Sequence, residues 1–310
     1  MHMNILVTLD DNYIRPLFIM LESLFCHEKS PLDIYLFYSN VSEDNRKRLH
    51  TYIQKKGGRF IPVLVEDDVF RDAPVFRYFT KEMYYRLLCS RLLPETEKRV
   101  LYLDPDILIR GELLPLYEMD FQGKQLIGME DYAINHMLTE KKEVIAFTEK
   151  ECYINSGVLL FNLEKMRELF ALKDFIGILE SYKDVVSYPD QDLINLYFKE
   201  DRLVGERIYN YNTGYGSIGG MLAWTLGLHR EERQPVIIHY MGKSKPWQVD
   251  YYGKYYFEYY HYLKKHLSWK GKVLFFFKPC YVAAKLAKVL IRKCRTFLEN
   301  GERGDKEWNR

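Results

Sequence analysis

The chain has 310 residues, 47% of them hydrophobic and 28% charged, which is ordinary for a soluble globular protein and enough for one large domain or two small ones. Its net charge of +2 is unevenly shared: residues 259–310 carry 13 Lys/Arg against 4 Asp/Glu on an otherwise acidic body, which argues against a nucleic-acid partner and leaves the tail for an anionic membrane surface. Five scattered cysteines without a CxxC pair exclude a disulfide framework or a zinc site and fit a reducing compartment.

The N-terminus MHMNILVTLDDNY lacks a basic n-region, and Asp10-Asp11 interrupt its apolar run, so it is no secretory signal and a cytoplasmic location is expected. Asn4 to Leu9 reads as a buried strand. Arg15-Pro16 opens an apolar helix over Leu17 to Phe25. A second strand is expected over Asp33 to Ser39, then a helix capped by Ser42 and stopped by Gly57-Gly58. Arg59 to Val65 gives a third strand, Lys81 to Pro94 a helix, and Arg99 to Asp104 a fourth strand. Such alternation predicts an α/β fold with a single, mixed, mostly parallel sheet flanked by helices. The segments QLIGMEDY, YINSGVLLFNL and PVIIHYMG read as further strands. The expected division is 1–258 as a catalytic domain and 259–310 as a basic helical tail.

Asp104 and Asp106 close the fourth strand as Asp-Pro-Asp. Side chains at i and i+2 of extended chain point the same way, so the pair is either a turn or two ligands of one cation shared with a phosphate substrate. Asp10-Asp11 ends a strand likewise, so both clusters should face one crevice at the carboxyl edge of the sheet. His239 ends another apolar run, with Gly242 and Lys245 just beyond it. It is either a structural histidine or a third ligand, with glycine admitting a phosphate to the backbone and lysine adding charge. Two carboxylates with an imidazole favour Mn2+ over Mg2+.

The blocks VTLDDNY, YYRLLCSRLLP, VLYLDPDILIRGEL, YINSGVLLFNL, YPDQDLIN and HYMGKSKPW occur in this order from residue 4 to about 250. In them the chain resembles the retaining glycosyltransferases of family 8, in particular those of the bacterial lipooligosaccharide galactosyltransferase type. The resemblance implies a GT-A fold using a UDP-sugar and Mn2+, with Mg2+ a substitute. It implies Asp104, Asp106 and His239 as metal ligands. It places Thr8 (through nearby backbone), Asp10 and Asn12 on the uridine, Gly242 and Lys245 on the diphosphate, and Arg86 on the donor sugar or a phosphate. Asp131, Asn155, Asp190 and Gln191 would line the sugar pocket, Gln191 and Asp190 stabilising charge on the ring. The expected reaction moves galactose or glucose from UDP to a glycan or glycolipid acceptor.

Plainer readings stand beside these. Asp10 to Asn12 could cap a helix, Arg86 could be a surface arginine, Asn155 to Gly157 a turn, and Asp190 to Asp192 an acidic helix start. A haloacid-dehalogenase-type phosphatase also uses Asp-x-Asp, but on its first strand and with Thr or Val where Leu108 stands here. A non-catalytic UDP-sugar-binding subunit is a third reading. Seven tyrosines between Tyr251 and Tyr262 could stack on an acceptor or pack under a terminal helix. Beyond Pro279, Val282, Leu286, Val289, Leu290 and Phe297 share a helical face opposite Lys285, Lys288, Arg292 and Arg295. This is too short and charged to span a bilayer, and suits a helix lying on the inner face of the plasma membrane, on the acidic body, or on another subunit.

Overall fold

The computed structural model describes residues 2–66, 70, 81–182, 184–213, 234–248, 251, 255–268 and 270–272. They fall into two units. One comprises Met1–Asn212 with Glu231–Tyr240, the other Thr213–Arg230 with Met241–Arg310. The amphipathic part of the expected tail lies outside the described residues.

The first unit opens as β1 (Met3–Thr8), α1 (Ile14–His27), β2 (Leu32–Tyr38), α2 (Glu43–Lys55) and β3 (Arg59–Leu64). β1 and β2 are buried along their whole lengths, which is why they read as apolar runs rather than as alternation. α1 is buried on most of its surface from Leu17 to Leu24. Ser42 does occupy the cap position of α2, yet its side chain makes no capping bond. It is Asp11 that accepts from the Ser42 N–H and from Asn45 Nδ2, both at 3.0 Å.

The expected helix over 81–94 is broken into α3 (Glu82–Tyr85), a 3-10 turn (Arg86–Leu88) and α4 (Cys89–Leu92). Arg86 Nε donates to the Met83 carbonyl at 2.7 Å, in competition with the backbone amide that a continuous helix would bring there.

After β4 (Arg99–Leu103) come β5 (Ile107–Ile109), α5 (Leu114–Tyr117), β6 (Leu126–Glu130) and α6 (Tyr132–His136). Then follow α7 (Glu140–Val144), β7 (Ile154–Asn162), α8 (Leu163–Leu169), α9 (Leu172–Tyr182) and α10 (Pro189–Tyr197). β8 (Arg202–Gly205), β9 (Tyr211–Asn212) and β10 (Ile237–His239) complete the unit. Seven strands form one sheet in the order β3-β2-β1-β4-β7-β6-β8. It is parallel except for β7, which runs against β4 and β6. One core, with Ile5, Val7, Leu17, Leu21, Ile34 and Leu101, covers one face; another, with Leu6, Phe37, Tyr84, Tyr102, Phe161 and Leu193, covers the other.

The expectation of a single sheet needs one correction: β5, β10 and β9 form a second, three-stranded sheet. Strands of two or three residues are too short to show a period. α1 anchors this small sheet, since Ser23 Oγ accepts from the Ile109 N–H at 3.0 Å.

In the second unit, Trp247 and Tyr259 lie 6.1 Å apart by ring centroid, and Tyr256 stacks on Tyr260 at 5.9 Å. There Tyr251, Tyr256, Tyr259, Tyr260 and Tyr262 pack on aromatic neighbours. No helix among the described residues is long and apolar enough to cross a membrane.

Candidate active site

β4 ends where its partner changes. The Asp104 N–H still bonds the Gly157 carbonyl of β7 at 2.8 Å. Pro105 then has no N–H to offer, and the chain leaves the main sheet for β5. There Ile107 is the register partner of His239 in antiparallel pairing, and the Tyr240 N–H bonds the Asp106 carbonyl at 3.1 Å. That register carries His239 to the Asp-Pro-Asp turn. Its Nε2 stands 3.2 Å from Asp106 Oδ1 and 3.6 Å from Asp104 Oδ2. One ligand atom from each of the three residues lies within 4.8 Å of the others.

The donor set fits a divalent cation: two carboxylate oxygens and an imidazole nitrogen converge at one spot. Gly157 leaves the space for them. A Cβ there would come within 2.2 Å of His239 Cε1 and 2.7 Å of Asp104 Oδ2. Burial pushes the Asp104 carboxyl above the usual carboxylate range, with Arg86 working against the shift and Asp106 adding to it. Two carboxylates so placed repel unless a cation lies between them.

Arg86 is buried, not a surface arginine. Its guanidinium donates to the Ser156 carbonyl and lies 3.6 Å from Asp104 Oδ1 and 3.4 Å from Asp190 Oδ2. It stacks 4.0 Å over the Tyr102 ring. The Tyr102 hydroxyl in turn donates to Asp104 and lies 3.3 Å from Thr8 Oγ1. So Thr8, Arg86, Asp104 and Asp190 form one connected group.

A second group adjoins it. Asn155 lies inside β7, not in a turn. Its Nδ2 donates to Gln191 Oε1 at 2.6 Å, and Gln191 Nε2 donates to Asp131 Oδ2 at 3.1 Å. Ser156 Oγ donates to Asp190 Oδ2 at 3.0 Å. Asp190 and Gln191 do begin helix α10, as the acidic-helix-start reading has it. Asp192 instead holds the chain that enters α10, where its Oδ2 accepts from the Ser187 and Tyr188 N–H groups at 2.7 and 2.8 Å.

Asp10 Oδ1 accepts from the Asn12 N–H and its Oδ2 from Asn12 Nδ2, both at 3.0 Å, so Asp10 caps the short 3-10 turn Asp11–Tyr13. β1 and β4 are parallel neighbours, which sets Asp10 and Asp104 at the same sheet edge. Tyr13, which the sequence did not single out, reports that edge: burial pushes its phenol up, and Asp106, Asp104 and Asp10 push it further. Gly242 and Lys245 belong to the second unit. Gly242 has φ +81° with nothing within 4 Å of a would-be Cβ, and the Lys245 ammonium lies 5.9 Å from the Trp247 ring.

Gly157 and Asn210 were missed as well. Gly157 had a signal, since glycine inside a strand marks a close approach. Asn210, whose Oδ1 lies 2.9 Å from His239 Nδ1, had none in the run YNYN.

Residues 4–250 match the family Glycosyl transferase family 8. Glycosyltransferase GlyF of Streptococcus pneumoniae (serotype 4, strain ATCC BAA-334 / TIGR4) is 25% identical over 80% of this chain, which spans only 58% of that relative's length. A lipopolysaccharide 1,2-glucosyltransferase of Escherichia coli (strain K12) is 26% identical over 79% of this chain and 72% of its own. Among solved structures, the galactosyltransferase LgtC in complex with donor and acceptor sugar analogues shares the fold, with TM-score 0.74 and 24% identity over 88% of this chain and 100% of that one. The mostly parallel sheet flanked by helices is thus a GT-A-type fold, and the phosphatase reading is set aside. The chain belongs to glycosyl transferase family 8.

Proposed function

We propose that the chain transfers galactose or glucose from UDP to a glycan or glycolipid acceptor, with retention at the anomeric carbon and with Mn2+, replaceable by Mg2+. The observation that carries this reading is the convergence of Asp104, Asp106 and His239 within 4.8 Å at the sheet edge of a family-8 fold. The galactosyltransferase LgtC and the E. coli glucosyltransferase support a hexose donor and leave both sugars in play.

In this reading Asp104, Asp106 and His239 hold the cation, while Thr8, Asp10 and Asn12 face the uridine. A bound divalent ion supplies Lewis-acid stabilisation of the departing diphosphate. Gly242 and Lys245 bind that diphosphate, the lysine as a point charge. Arg86 keeps Asp190 oriented, and the Asp190 carboxylate offsets positive charge on the sugar ring. Asp131 and Asn155 hold the Gln191 amide against the same ring.

Among the described residues, neither Gln191 nor Asp190 is placed as a free nucleophile for a covalent route. Gln191 Oε1 already accepts from Asn155 Nδ2 and the Ser156 N–H, and Asp190 is engaged by Arg86 and Ser156. Displacement on one face, through an oxocarbenium-like state, therefore fits better. A glycosyl adduct on Asp190 found by mass spectrometry would overturn that part.

The test is UDP release from UDP-galactose and UDP-glucose with Mn2+ and no acceptor. Slow release from one donor, abolished by chelator, is expected. Binding of both donors without any release would support a non-catalytic UDP-sugar-binding subunit instead. We also place the protein in the cytoplasm, peripheral on the plasma membrane through the basic tail. The charge of residues 259–310 supports this.

A further inference from the structure

We propose that Asn210 is a positioning residue that fixes which ring nitrogen of His239 is bare before any cation arrives. The proposal deepens the reading of Asp104, Asp106 and His239 as a cation site and rests on it for its consequence, not for its geometry.

Three buried carboxamides, Gln191, Asn155 and Asn210, link α10, β7 and the turn before β9 to the imidazole. The two ends of a carboxamide have nearly the same shape, so only their partners tell oxygen from nitrogen. Here two backbone amides of β7 decide, because a backbone N–H can only donate. The Ser156 N–H lies 3.1 Å from Gln191 Oε1. The Gly157 N–H lies 2.9 Å from Asn155 Oδ1. That atom of Asn155 must therefore be the oxygen.

The Asn210 atom 2.8 Å from Asn155 Oδ1 must then be the nitrogen, since two oxygens there would repel. This leaves the Asn210 oxygen 2.9 Å from His239 Nδ1. An amide oxygen only accepts, so Nδ1 carries the proton. In the neutral ring the lone pair then sits on Nε2, the atom facing Asp106 and Asp104 at 3.2 and 3.6 Å, so Asn210 has to outweigh the repulsion of those two carboxylates until a cation lies between them. Asn210 and His239 are both buried, so water does not compete for Nδ1. An outer partner of this kind orients a ligating imidazole and removes the tautomer that cannot ligate.

The effect should depend on the metal. Mg2+ relies on oxygen ligands, whereas Mn2+ draws more from nitrogen. Loosening the imidazole should therefore cost Mn2+ more than Mg2+.

The test uses the full chain with Asn210→Ala and Asn210→Asp. Nitrogen chemical shifts of the His239 ring are read without metal, at a pH where the ring is neutral. Wild type should show Nδ1–H. Asn210→Asp, which keeps an acceptor at Nδ1, should show it too, and Asn210→Ala should not. Calorimetric affinity for Mn2+ should fall about ten-fold in Asn210→Ala, with a smaller loss for Mg2+ and only partial recovery in Asn210→Asp, whose second oxygen opposes Asn155 Oδ1. Nε2–H in the wild type would overturn the proposal even if no variant folds. So would unchanged shifts in Asn210→Ala, or equal losses for both metals in both variants, which mark a merely structural role. The ring shifts need neither metal nor donor, so they judge Asn210 even if the cation-site reading fails. That failure would show separately, as Mn2+ binding indifferent to His239→Ala.

Discussion

His239 Nε2 lies 3.2 Å from Asp106 Oδ1 because Ile107 and His239 are register partners across β5 and β10. A one-residue slip of that short pairing would turn the imidazole to the opposite face. The site therefore depends on what holds the small sheet in place, and on the room left for the ring.

Gly157 supplies that room. A methyl there meets His239 Cε1 at 2.2 Å and Asp104 Oδ2 at 2.7 Å, so at least one ligand must move. Gly157→Ala should cost about 1–3 kcal/mol in urea unfolding and abolish the rise in melting temperature on adding Mn2+. A full Mn2+ response in this variant would mean that the ligands are not held as described.

Arg86 is 3% exposed and lies between Asp104 and Asp190. Removing it strands two acidic groups beside Asp106. Arg86→Ala should destabilise by about 3–5 kcal/mol. Arg86→Lys should recover only part, because a lysine cannot reach Met83, Ser156 and both carboxylates together. Urea titrations of the three proteins check this; a loss under about 1 kcal/mol for Ala would place Arg86 among surface ion pairs.

Glu28 joins α1 to the segment after β5. Its Oε2 accepts from the Leu113 and Leu114 N–H groups at 2.7 and 3.1 Å, and its Oε1 from Lys29 and Ser30 at 2.9 and 2.8 Å. Burial alone would raise its pKa, but bonds from the Ser30, Leu113 and Lys29 amides outweigh burial and lower it. The folded value lies below the unfolded one, so the stabilisation is full above the unfolded value, about 4.3. It fades as pH falls through the folded value. Wild type should exceed Glu28→Gln by about 2 kcal/mol at pH 7, with the gap closing at the acid end. A gap that widens on acidification would contradict the assignment.

Of the four strands up to Asp104, β1, β2 and β4 were legible because they are buried and bounded by polar turns, whereas β3, a half-exposed edge strand, was legible from the Gly57-Gly58 stop before it. So was the pair of carboxylates, Asp104 and Asp106, at the end of one of them. The small sheet was not, since Ile107–Ile109 and Ile237–His239 are too short to show a pattern. The broken helix at Arg86 was hidden as well: its sequence is helical, and the guanidinium bond to the Met83 carbonyl at the break is a side-chain contact that no periodicity reports. The amide chain through Asn155 and Asn210 depends on side-chain directions from three separate elements. No spacing along the chain encodes it.

The basic tail yields a separate prediction. Deleting residues 270–310 should abolish sedimentation with anionic liposomes and leave UDP release intact. The intact chain should lose binding as salt rises. Equal sedimentation of both proteins would end the idea of membrane attachment.

The most direct test of the central claim is a calorimetric Mn2+ titration of the intact chain beside Asp104→Asn, Asp106→Asn and His239→Ala. One Mn2+ should bind per chain, and each substitution should weaken binding at least ten-fold. Equal Mn2+ affinity in all four proteins would contradict the assignment of Asp104, Asp106 and His239 to a single cation.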